Sequence, residues 1–193
     1  MIATAYPFTR HALISPAYLT QQRELHARPN GYGGGGGTWA AYVRELLGRF
    51  VATSVLDYGC GEGGLMRALR PLCNSTIRLD EYDIAMPGKD EPASFADLVV
   101  CTDVLEHIEP DRLDTVLAHL KMLARKAVFA AISTRPSNKT LADGRNAHLI
   151  VEGVDWWRAR VVAAGFDVAD GPTRLHHGKP VREWAAVLTE RTS

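Results

Sequence analysis

The stretch VLDYGCGEGGLMRAL, residues 55–69, decides the fold, because it places a glycine-rich turn between an apolar strand and an amphipathic helix. Two glycine patterns overlap in it. Gly59, Gly61 and Gly64 fit G-x-G-x-x-G, the signature of a dinucleotide-binding turn. Gly59, Gly61 and Gly63 fit a G-x-G-x-G turn that follows an acidic strand end. Both patterns predict a strand, a turn and a helix, but they indicate different ligands.

The charges beside this turn favour a cationic ligand. Asp57 ends the strand and Glu62 lies inside the turn. In an open parallel sheet the turn after the first strand contacts the cofactor, and two carboxylates there would repel a pyrophosphate by roughly several kcal/mol at low effective dielectric. S-adenosylmethionine carries a sulfonium and an ammonium and has no phosphate. The charges therefore predict S-adenosylmethionine, with an NAD-dependent Rossmann protein as an alternative.

From Val51 onward, apolar segments of strand length alternate with amphipathic helical segments. The runs ADLVVCTD (96–103) and AVFAAIST (127–134) are apolar over most of their length, as in parallel strands that are covered on both faces. Between them, the segment 110–125 repeats leucine and valine at helical spacing. This alternation predicts a three-layer α/β sandwich with a Rossmann-like, mainly parallel sheet and an antiparallel last strand.

Residues 1–50 are predicted to form an N-terminal segment ahead of a core at 51–193. Ser15, directly before a proline, is typical of a helix start. The five consecutive glycines at 33–37 have no preferred backbone conformation, so they indicate either a flexible linker or a mobile lid. We expect a helical arm, then this glycine-rich lid or linker, then a helix that Thr38 caps.

Length and composition are those of one globular domain. The 193 residues are 46% hydrophobic and 23% charged, which is enough to bury a substantial core. The formal net charge is zero, so we expect no broad basic surface for nucleic acid, although a local patch remains open. Three cysteines in or beside apolar segments suit reduced thiols. With no apolar run of membrane-spanning length and no recognisable signal sequence, we expect a cytoplasmic protein.

The stretches VLDYGCGEG (55–63) and ADLVVCTDVLEHI (96–108) together resemble the class I S-adenosylmethionine-dependent methyltransferases, over residues 51–190. The resemblance implies that Asp57 contacts the methionine half of the cofactor. It also implies cofactor contacts from the glycine turn and from the end of the later strand, namely from Gly59, Cys60, Gly61, Gly63, Thr102, Asp103 and Val104.

The resemblance further implies an acidic residue at the end of the second strand that binds the ribose hydroxyls. The candidates are Asp80, Glu81 and Asp83, and we favour Asp83 because EYD (81–83) precedes the break at AMPG (85–88), with Asp80 as the second choice. The interval 84–96 is too short and too rich in proline and glycine for the helix and strand that the family places there. We therefore predict a sheet trimmed at this edge, and we assign no adenine-contacting side chain.

The stretch DVLEHI (103–108) has two interpretations. In many family members these residues shape the cofactor pocket and begin the next helix. In ubiquinone-pathway O-methyltransferases and small-RNA 2′-O-methyltransferases, a similar acidic-x-x-Glu-His arrangement with a later histidine binds a divalent metal. The resemblance to these enzymes implies a Mg²⁺ or Mn²⁺ site formed by Asp103, Glu106, His107 and His148.

His148 also has a metal-free interpretation. Many small-molecule methyltransferases have a histidine that faces the substrate from the loop before a helix ending in A-G-F, so His148, with His107, is a candidate catalytic base. The connection STRPSNKTLADGRNAHLI (133–150) is unusually polar, and it either contacts an anionic or hydroxylated substrate or is a solvated loop. The candidate substrate contacts are Tyr32, Arg135, Arg145, Asn146 and Trp156.

The predicted function is methyl transfer from S-adenosylmethionine to oxygen or nitrogen of a small or medium-sized acceptor. We expect this acceptor to be nucleotide-, sugar- or carboxylate-like. One alternative is a metal-assisted O-methyltransferase that acts on a diol or a ribose 2′-hydroxyl. Another is a non-catalytic protein that only binds S-adenosylmethionine. The sequence leaves the oligomeric state open and indicates no membrane partner.

Overall fold

The computed structural model describes residues 7–28, 35–176, 179–180 and 182–191. Its strands are β1 (Ser54–Tyr58), β2 (Arg78–Tyr82), β3 (Ala96–Thr102), β4 (Ala124–Ser133), β5 (Phe166–Asp170), β6 (Leu175–His176), β7 (Lys179–Pro180) and β8 (Glu183–Glu190). Its helices are α1 (Arg10–Leu13), α2 (Pro16–Ala27), α3 (Ala40–Arg49), α4 (Gly64–Leu69), α5 (Leu113–Leu123) and α6 (Val154–Ala163). Short 3₁₀ turns lie at Gly35–Trp39, Arg70–Leu72 and Leu105–His107.

The main sheet has six strands in the order β2-β1-β3-β4-β8-β5. β1 pairs in parallel with β2 and β3, and β3 pairs in parallel with β4. β8 lies antiparallel between β4 and β5, while β6 and β7 pair in a separate two-stranded ladder. The predicted Rossmann-like, mainly parallel sheet with an antiparallel last strand is confirmed.

Helices cover both faces of this sheet. α5 and α6 pack on one face, where Leu117 and Trp157 are fully buried. α3 and α4 pack on the other face through Leu46 and Leu65. β1 and β3 are therefore buried along their whole length, which explains the continuous apolar runs that predicted them. The predicted three-layer α/β sandwich is confirmed.

The sheet ends at β2, as the short interval after it predicted. Residues 84–95 contain neither helix nor strand, and the chain folds back on the end of β2. The Asp83 N–H donates to the Lys89 carbonyl oxygen at 2.9 Å, and the Lys89 N–H donates to the Met86 carbonyl oxygen at 3.0 Å. The trimmed edge thus places a compact turn beside Asp83.

The N-terminal segment packs against the core through α1 and α2. The Ser15 hydroxyl accepts a hydrogen bond from the Tyr18 N–H at 3.2 Å and caps α2, as the sequence predicted. A small buried cluster joins this arm to the loop after β4, and its members are Ile14, Tyr18, Leu25, Leu141 and Ala147. The division of the chain into an arm and a core at residue 50 stays a prediction.

The described part of the glycine run is packed against α4. Residues 33–34 lie outside the described residues, whereas 35–37 begin a 3₁₀ turn. A Cβ on Gly37 would lie 3.1 Å from the Gly64 carbonyl oxygen, so a side chain here would require the start of α4 to shift slightly. Close packing therefore accounts for glycine here, and a lid or linker role for the whole run stays a prediction.

The prediction that Thr38 caps α3 is wrong. Its hydroxyl donates to the Gly35 carbonyl oxygen at 3.0 Å, within the 3₁₀ turn that precedes the helix. Trp39 occupies the cap position, and its side chain makes no capping hydrogen bond. The reason is that the glycines already turn the chain before α3, so the helix start needs no side-chain cap.

None of the helices in the described ranges is both long and apolar enough to cross a membrane.

Candidate active site

A cavity of about 420 Å³ opens at the carboxyl ends of the parallel strands. Open α/β sheets bind their ligands at this edge, because strand ends and helix starts meet there. The turns after β1, β2 and β3 line it, together with α1, α2 and the loops after β4 and β5. The predicted residues that line it are Asp57, Gly59, Cys60, Gly61, Asp83, Thr102, Asp103, Val104, His107, Arg135 and His148.

Contacts that exclude side chains shape the glycine turn. Gly59 has a φ of +76°, and a Cβ on it would overlap the Val104 side chain. Gly63 also has a φ of +76°, and a Cβ on it would overlap the Glu81 carboxylate. The left-handed backbone conformation therefore favours glycine at both positions, and at Gly59 the Val104 side chain also leaves no space for a Cβ. Gly59 lines the cavity, whereas Gly63 lies against the end of β2.

Asp57, near the end of β1, is a buried carboxyl at the cavity, with 4% of its surface exposed. Burial raises its pKa to about 7, and the charge of Glu81 also raises it, although Lys89 acts in the opposite direction. A cation in the cavity would stabilise the ionised carboxylate and lower that pKa. Asp57 therefore suits the sulfonium or the ammonium of S-adenosylmethionine.

Asp83 holds the glycine turn to the end of β2. Its Oδ2 accepts from the Gly61 N–H and its Oδ1 accepts from the Ala85 N–H, both at 2.9 Å. Asp83 is only 6% exposed, and it lines the cavity. Because Asp83 fixes the turn, its substitution would alter the position of the turn as well as any ribose contact.

The other two acidic candidates at this strand end are paired with cations. The Glu81 carboxylate lies 3.1 Å from Lys89 Nζ, which also donates to the Gly61 carbonyl oxygen at 3.0 Å. Asp80 pairs with Arg78. Neither carboxylate lines the main cavity in the part of the chain that the structure describes. The geometry therefore favours Asp83 for the ribose hydroxyls, and this role stays a prediction.

Asp103 adopts a left-handed backbone conformation, with a φ of +55°. This conformation is uncommon for a residue with a side chain. The Asp103 N–H donates to the Ala131 carbonyl oxygen at 2.8 Å, so β4 holds the conformation in place. Burial raises the pKa of the carboxyl, and the nearby Arg174, His148 and Arg135 oppose this rise. Asp103 thus lies among the basic side chains that face the cavity.

Glu106 is a fully buried carboxyl directly before His107. Its Oε1 accepts from the Ser133 N–H at 3.0 Å, and its Oε2 has no hydrogen-bond partner within the described residues. Burial raises the pKa of Glu106 to about 8, and the charge of Asp103 also raises it. A buried oxygen without a partner is costly, and a bound cation would provide one.

His107 and His148 are held in the same tautomer. The Nδ1 of His107 bonds to the Ala147 carbonyl oxygen at 2.8 Å, and the Nδ1 of His148 bonds to the Arg135 carbonyl oxygen at 2.6 Å. A carbonyl oxygen can only accept, so Nδ1 carries the proton and Nε2 is unprotonated in each neutral ring. Burial lowers the pKa of both rings, that of His107 to about 3.

Glu106, His107 and His148 form a cluster whose ligand atoms all lie within 4.8 Å of one another. Carboxylate oxygen and neutral imidazole nitrogen are accepted ligands of divalent cations. Metal-binding histidines typically donate their other N–H to a backbone carbonyl, as both rings do here. These residues therefore fit a divalent cation. Asp103, the fourth predicted ligand, lines the same cavity but is not part of this cluster.

Arg135 is the predicted substrate residue that lines the cavity. It is partly buried, and its Nη1 donates to the Pro136 carbonyl oxygen at 3.4 Å. Trp156 packs against Trp157 on α6, outside the described lining of the cavity. Tyr32 lies outside the described residues.

Arg145 and Asn146 stabilise the loop after β4. Arg145 pairs with Asp143 at 2.7 Å, and its guanidinium lies over the Tyr18 ring. The Asn146 Oδ1 accepts from the His148 N–H at 2.9 Å. Neither side chain is part of the described lining of the cavity; the contact of Asn146 fits the positioning of His148, and those of Arg145 fit the stabilisation of the loop.

Several side chains at the cavity had no signal in the sequence. Arg174 pairs with Glu183 at 2.5 Å, and both line the cavity, as do Tyr18 and Gln22 of α2. Arg174 follows β5 and Glu183 begins β8, outside any recognisable motif. The fold, rather than spacing along the chain, brings them to the site.

A family model described as Methyltransferase domain matches residues 31–169 of the chain. No curated protein sequence matches this chain.

Solved structures of methyltransferases share this fold. The 1,6-didemethyltoxoflavin-N1-methyltransferase of Burkholderia thailandensis has a TM-score of 0.60 at 16% identity, over 82% of this chain and 80% of that chain. The S-adenosylhomocysteine complex of magnesium protoporphyrin IX methyltransferase from Synechocystis PCC 6803 has a TM-score of 0.57 at 17% identity, over 92% and 95%. The methyltransferase domain of bacterial CtHen1-C has a TM-score of 0.56 at 16% identity, over 81% and 98%. At these identities the likeness shows the fold alone.

Proposed function

Because the chain belongs to the methyltransferase-domain family and depends on S-adenosylmethionine, we propose that it methylates a hydroxyl oxygen with the help of a divalent metal. The observation that carries the proposal is the cluster of Glu106, His107 and His148, whose ligand atoms lie within 4.8 Å of one another. This cluster adjoins the cavity that also contains Asp57 and the glycine turn. The methyl donor and the activated acceptor therefore meet in one cavity.

The cofactor is held through the turn after β1. Asp57 would face its cationic methionine half, the backbone at Gly59 and Gly61 would lie close to it, and Asp83 would accept hydrogen bonds from the ribose hydroxyls. The buried Asp57 carboxyl supports this arrangement, since burial leaves it in need of a cation. S-adenosylmethionine supplies a methyl group that its positive sulfur already activates, so the protein mainly aligns the acceptor and removes its proton.

Glu106, His107 and His148 would hold Mg²⁺ or Mn²⁺, with Asp103 beside them at the cavity. A divalent cation held there would lower the pKa of an acceptor hydroxyl and so favour its ionised form near neutral pH. The Ala147 and Arg135 carbonyls fix the two imidazoles with Nε2 unprotonated. The chain thus keeps both rings oriented before any ligand arrives.

The acceptor is proposed to be a nucleotide-, sugar- or carboxylate-like molecule. Arg135 and Arg174 bring guanidinium groups to the cavity, and Arg174 is already paired with Glu183. Guanidinium groups recognise phosphate and carboxylate. Solved structures of this fold include methyltransferases named for 1,6-didemethyltoxoflavin and for magnesium protoporphyrin IX, so the fold itself does not select the acceptor.

A second candidate is metal-free transfer to oxygen or nitrogen, with His148 as the base. The supporting observation is the hydrogen bond from His148 Nδ1 to the Arg135 carbonyl oxygen, which leaves Nε2 as the proton acceptor. The lowered pKa of His148 keeps the ring neutral at pH values where it would act as a base. This candidate requires no role for Glu106, whose unpartnered Oε2 it leaves unexplained.

An acceptor screen separates the two candidates. Protein is incubated with methyl-labelled S-adenosylmethionine and a panel of hydroxyl and amine compounds, with and without EDTA, and the methylated atom is located by mass spectrometry and NMR. We expect a labelled hydroxyl oxygen and loss of the product in EDTA, restored by Mg²⁺ or Mn²⁺. Labelled product that persists in EDTA with no bound metal would support the metal-free candidate and exclude the metal-assisted one.

A further inference from the structure

The lining of the cavity combines ionisable and apolar side chains. The ionisable ones include Asp103, His107, Arg135 and His148. Directly after Asp83 the chain contributes the apolar Ile84 and Ala85, and Leu13, Ile14 and Val116 line the same cavity. Adenine presents two flat, weakly polar faces, and apolar side chains are the surfaces on which such a ring is best desolvated. This apolar lining beside Asp83 therefore suits the adenine of S-adenosylmethionine.

The N-terminal arm, defined here as α1 and α2 with the residues between them, contributes Leu13 and Ile14 to this apolar lining. Leu13 and Ile14 form the junction between the two helices, and each is 6% exposed. Ile84, the residue after Asp83, packs with Ile14 in one cluster and with Leu13 in another. The arm thus covers the region where the sheet stops and where residues 84–95 provide no helix or strand.

Two arginines attach the arm to the turn that follows β2. The Arg10 guanidinium lies 2.9 Å from the Asp90 carboxylate and also donates to the Asp90 carbonyl oxygen at 2.8 Å. The Arg23 guanidinium reaches the same carboxylate at 3.2 Å. One arginine comes from each helix of the arm, so Asp90 holds both helices over this side of the cavity.

The opposite side of the arm is attached to the segment after β3. The Ser15 N–H donates to the Glu109 carboxylate at 2.8 Å, and the Arg112 guanidinium donates to the His11 carbonyl oxygen at 2.6 Å. Glu109 and Arg112 also pair with each other at 3.2 Å. The junction at Leu13 is therefore tied both to the turn after β2 and to the segment after β3.

We propose that Leu13 and Ile14 contact the adenine ring of S-adenosylmethionine, so that the N-terminal arm completes the adenosine half of the cofactor site. The bonds from the arm to Asp90 and to Glu109 and Arg112 hold Leu13 and Ile14 in position. The proposal follows from the dependence of the family on S-adenosylmethionine and is independent of the metal cluster.

The test uses 5′-methylthioadenosine, which has the adenosine half of the cofactor and lacks its amino-acid half. We expect Ile14→Ala to weaken binding of 5′-methylthioadenosine by about tenfold in isothermal titration calorimetry, because it removes apolar contact with the base. Leu25→Ala is the matched control, since Leu25 is in the same cluster as Ile14 but outside the described lining of the cavity. Its dissociation constant should stay within about twofold of wild type.

A double variant provides the test if Ile14→Ala does not fold. Arg10→Gln with Arg23→Gln breaks both ion pairs to Asp90 without touching the core, and it should weaken 5′-methylthioadenosine binding by about threefold. Circular dichroism identifies the folded variants. Wild-type affinity in a folded Ile14→Ala protein, or in the double variant if Ile14→Ala does not fold, would overturn the proposal. Mn²⁺ affinity, measured in parallel, reports separately on the proposed metal function.

Discussion

His107 and His148 meet edge to face, with ring centroids 4.6 Å apart and an angle of 88° between the ring planes. The rings come from separate segments, the 3₁₀ turn after β3 and the loop before α6. Those segments are joined at the backbone, where the Ile150 N–H donates to the Glu106 carbonyl oxygen at 3.0 Å. The histidine pair is therefore oriented by the fold itself, and loss of one ring should affect ligand binding more than folding.

Substitution of His148 removes one imidazole from the cluster. We expect His148→Ala to lower the affinity for Mn²⁺ at least about tenfold, because even the loss of an outer partner of a metal ligand typically costs roughly 10–100-fold. Calorimetric titration of Mn²⁺ into protein saturated with S-adenosylhomocysteine measures the change. His11→Ala is the control, since His11 is exposed on α1, and it should bind Mn²⁺ as wild type does. Equal affinities of the two variants would contradict the proposed site.

Glu106→Gln keeps the oxygen that accepts from the Ser133 N–H but removes the negative charge. A metal that binds only the folded protein stabilises it by about 2.7 kcal/mol at a concentration 100 times its Kd. We expect Mn²⁺ to raise the Tm of wild type and to raise that of Glu106→Gln by less than half as much. Thermal unfolding with and without Mn²⁺ makes the comparison, and an undiminished shift in Glu106→Gln would argue against a role for this carboxylate.

Binding of S-adenosylmethionine should release a proton from Asp57. Burial holds the pKa of this carboxyl at about 7 in the free protein, and the cation of the cofactor lowers it. The affinity should therefore rise with pH up to about 7 and flatten above it, with a slope of at most about tenfold per pH unit. Calorimetry in buffers of different ionisation enthalpy measures the released proton directly.

Two variants check the origin of this proton. Asp57→Asn has no carboxyl to titrate, so its affinity should be lower than that of wild type and independent of pH. Asp167→Asn removes an exposed carboxyl on β5 and should keep the wild-type pH profile. A wild-type affinity that does not change between about pH 6 and about pH 8 would be inconsistent with a cation beside Asp57.

Gly59→Ala should damage the cofactor turn. The added Cβ would overlap the Val104 side chain at a φ of +76°, so we expect a loss of about 1–3 kcal/mol in the free energy of unfolding and at least about tenfold weaker S-adenosylmethionine binding. Gly48→Ala in α3 is the control, because its Cβ would meet nothing within 4 Å. It should stabilise the protein by about 0.5–1 kcal/mol in urea unfolding. Similar losses in both variants would mean that the turn tolerates a side chain.

The strands and the cofactor turn were predictable because each depends on local sequence. The continuous apolar run at 96–103 can be buried on both faces only in the middle of a sheet, and the structure places β3 there. Asp57 and the glycines after it are adjacent along the chain, so their chemistry is visible as a motif. The trimmed edge after Asp83 followed from the family resemblance, because the interval 84–96 is too short and too rich in proline and glycine for the helix and strand that the family places there.

The walls of the cavity were not predictable, because their residues meet only in the folded chain. Leu13 and Ile14 look like ordinary core residues in the sequence, and nothing there indicates that Asp90 pairs with arginines of the arm. Arg174, in the segment after β5, and Glu183, at the start of β8, likewise meet only in the folded chain. Helix capping at Thr38 was predicted wrongly because a 3₁₀ turn at Gly35–Trp39 leads directly into α3, and the Thr38 hydroxyl bonds back to Gly35 within that turn.

The most direct test of the proposed function is the rate of methyl transfer, to the acceptor found in the screen, by protein stripped with EDTA and then titrated with Mn²⁺. Metal-assisted O-methylation predicts less than about 1% of the full rate in the stripped protein. It also predicts full recovery at one equivalent of Mn²⁺, with the methyl group on oxygen. A stripped protein that keeps its full rate, or a product methylated on nitrogen, would contradict it.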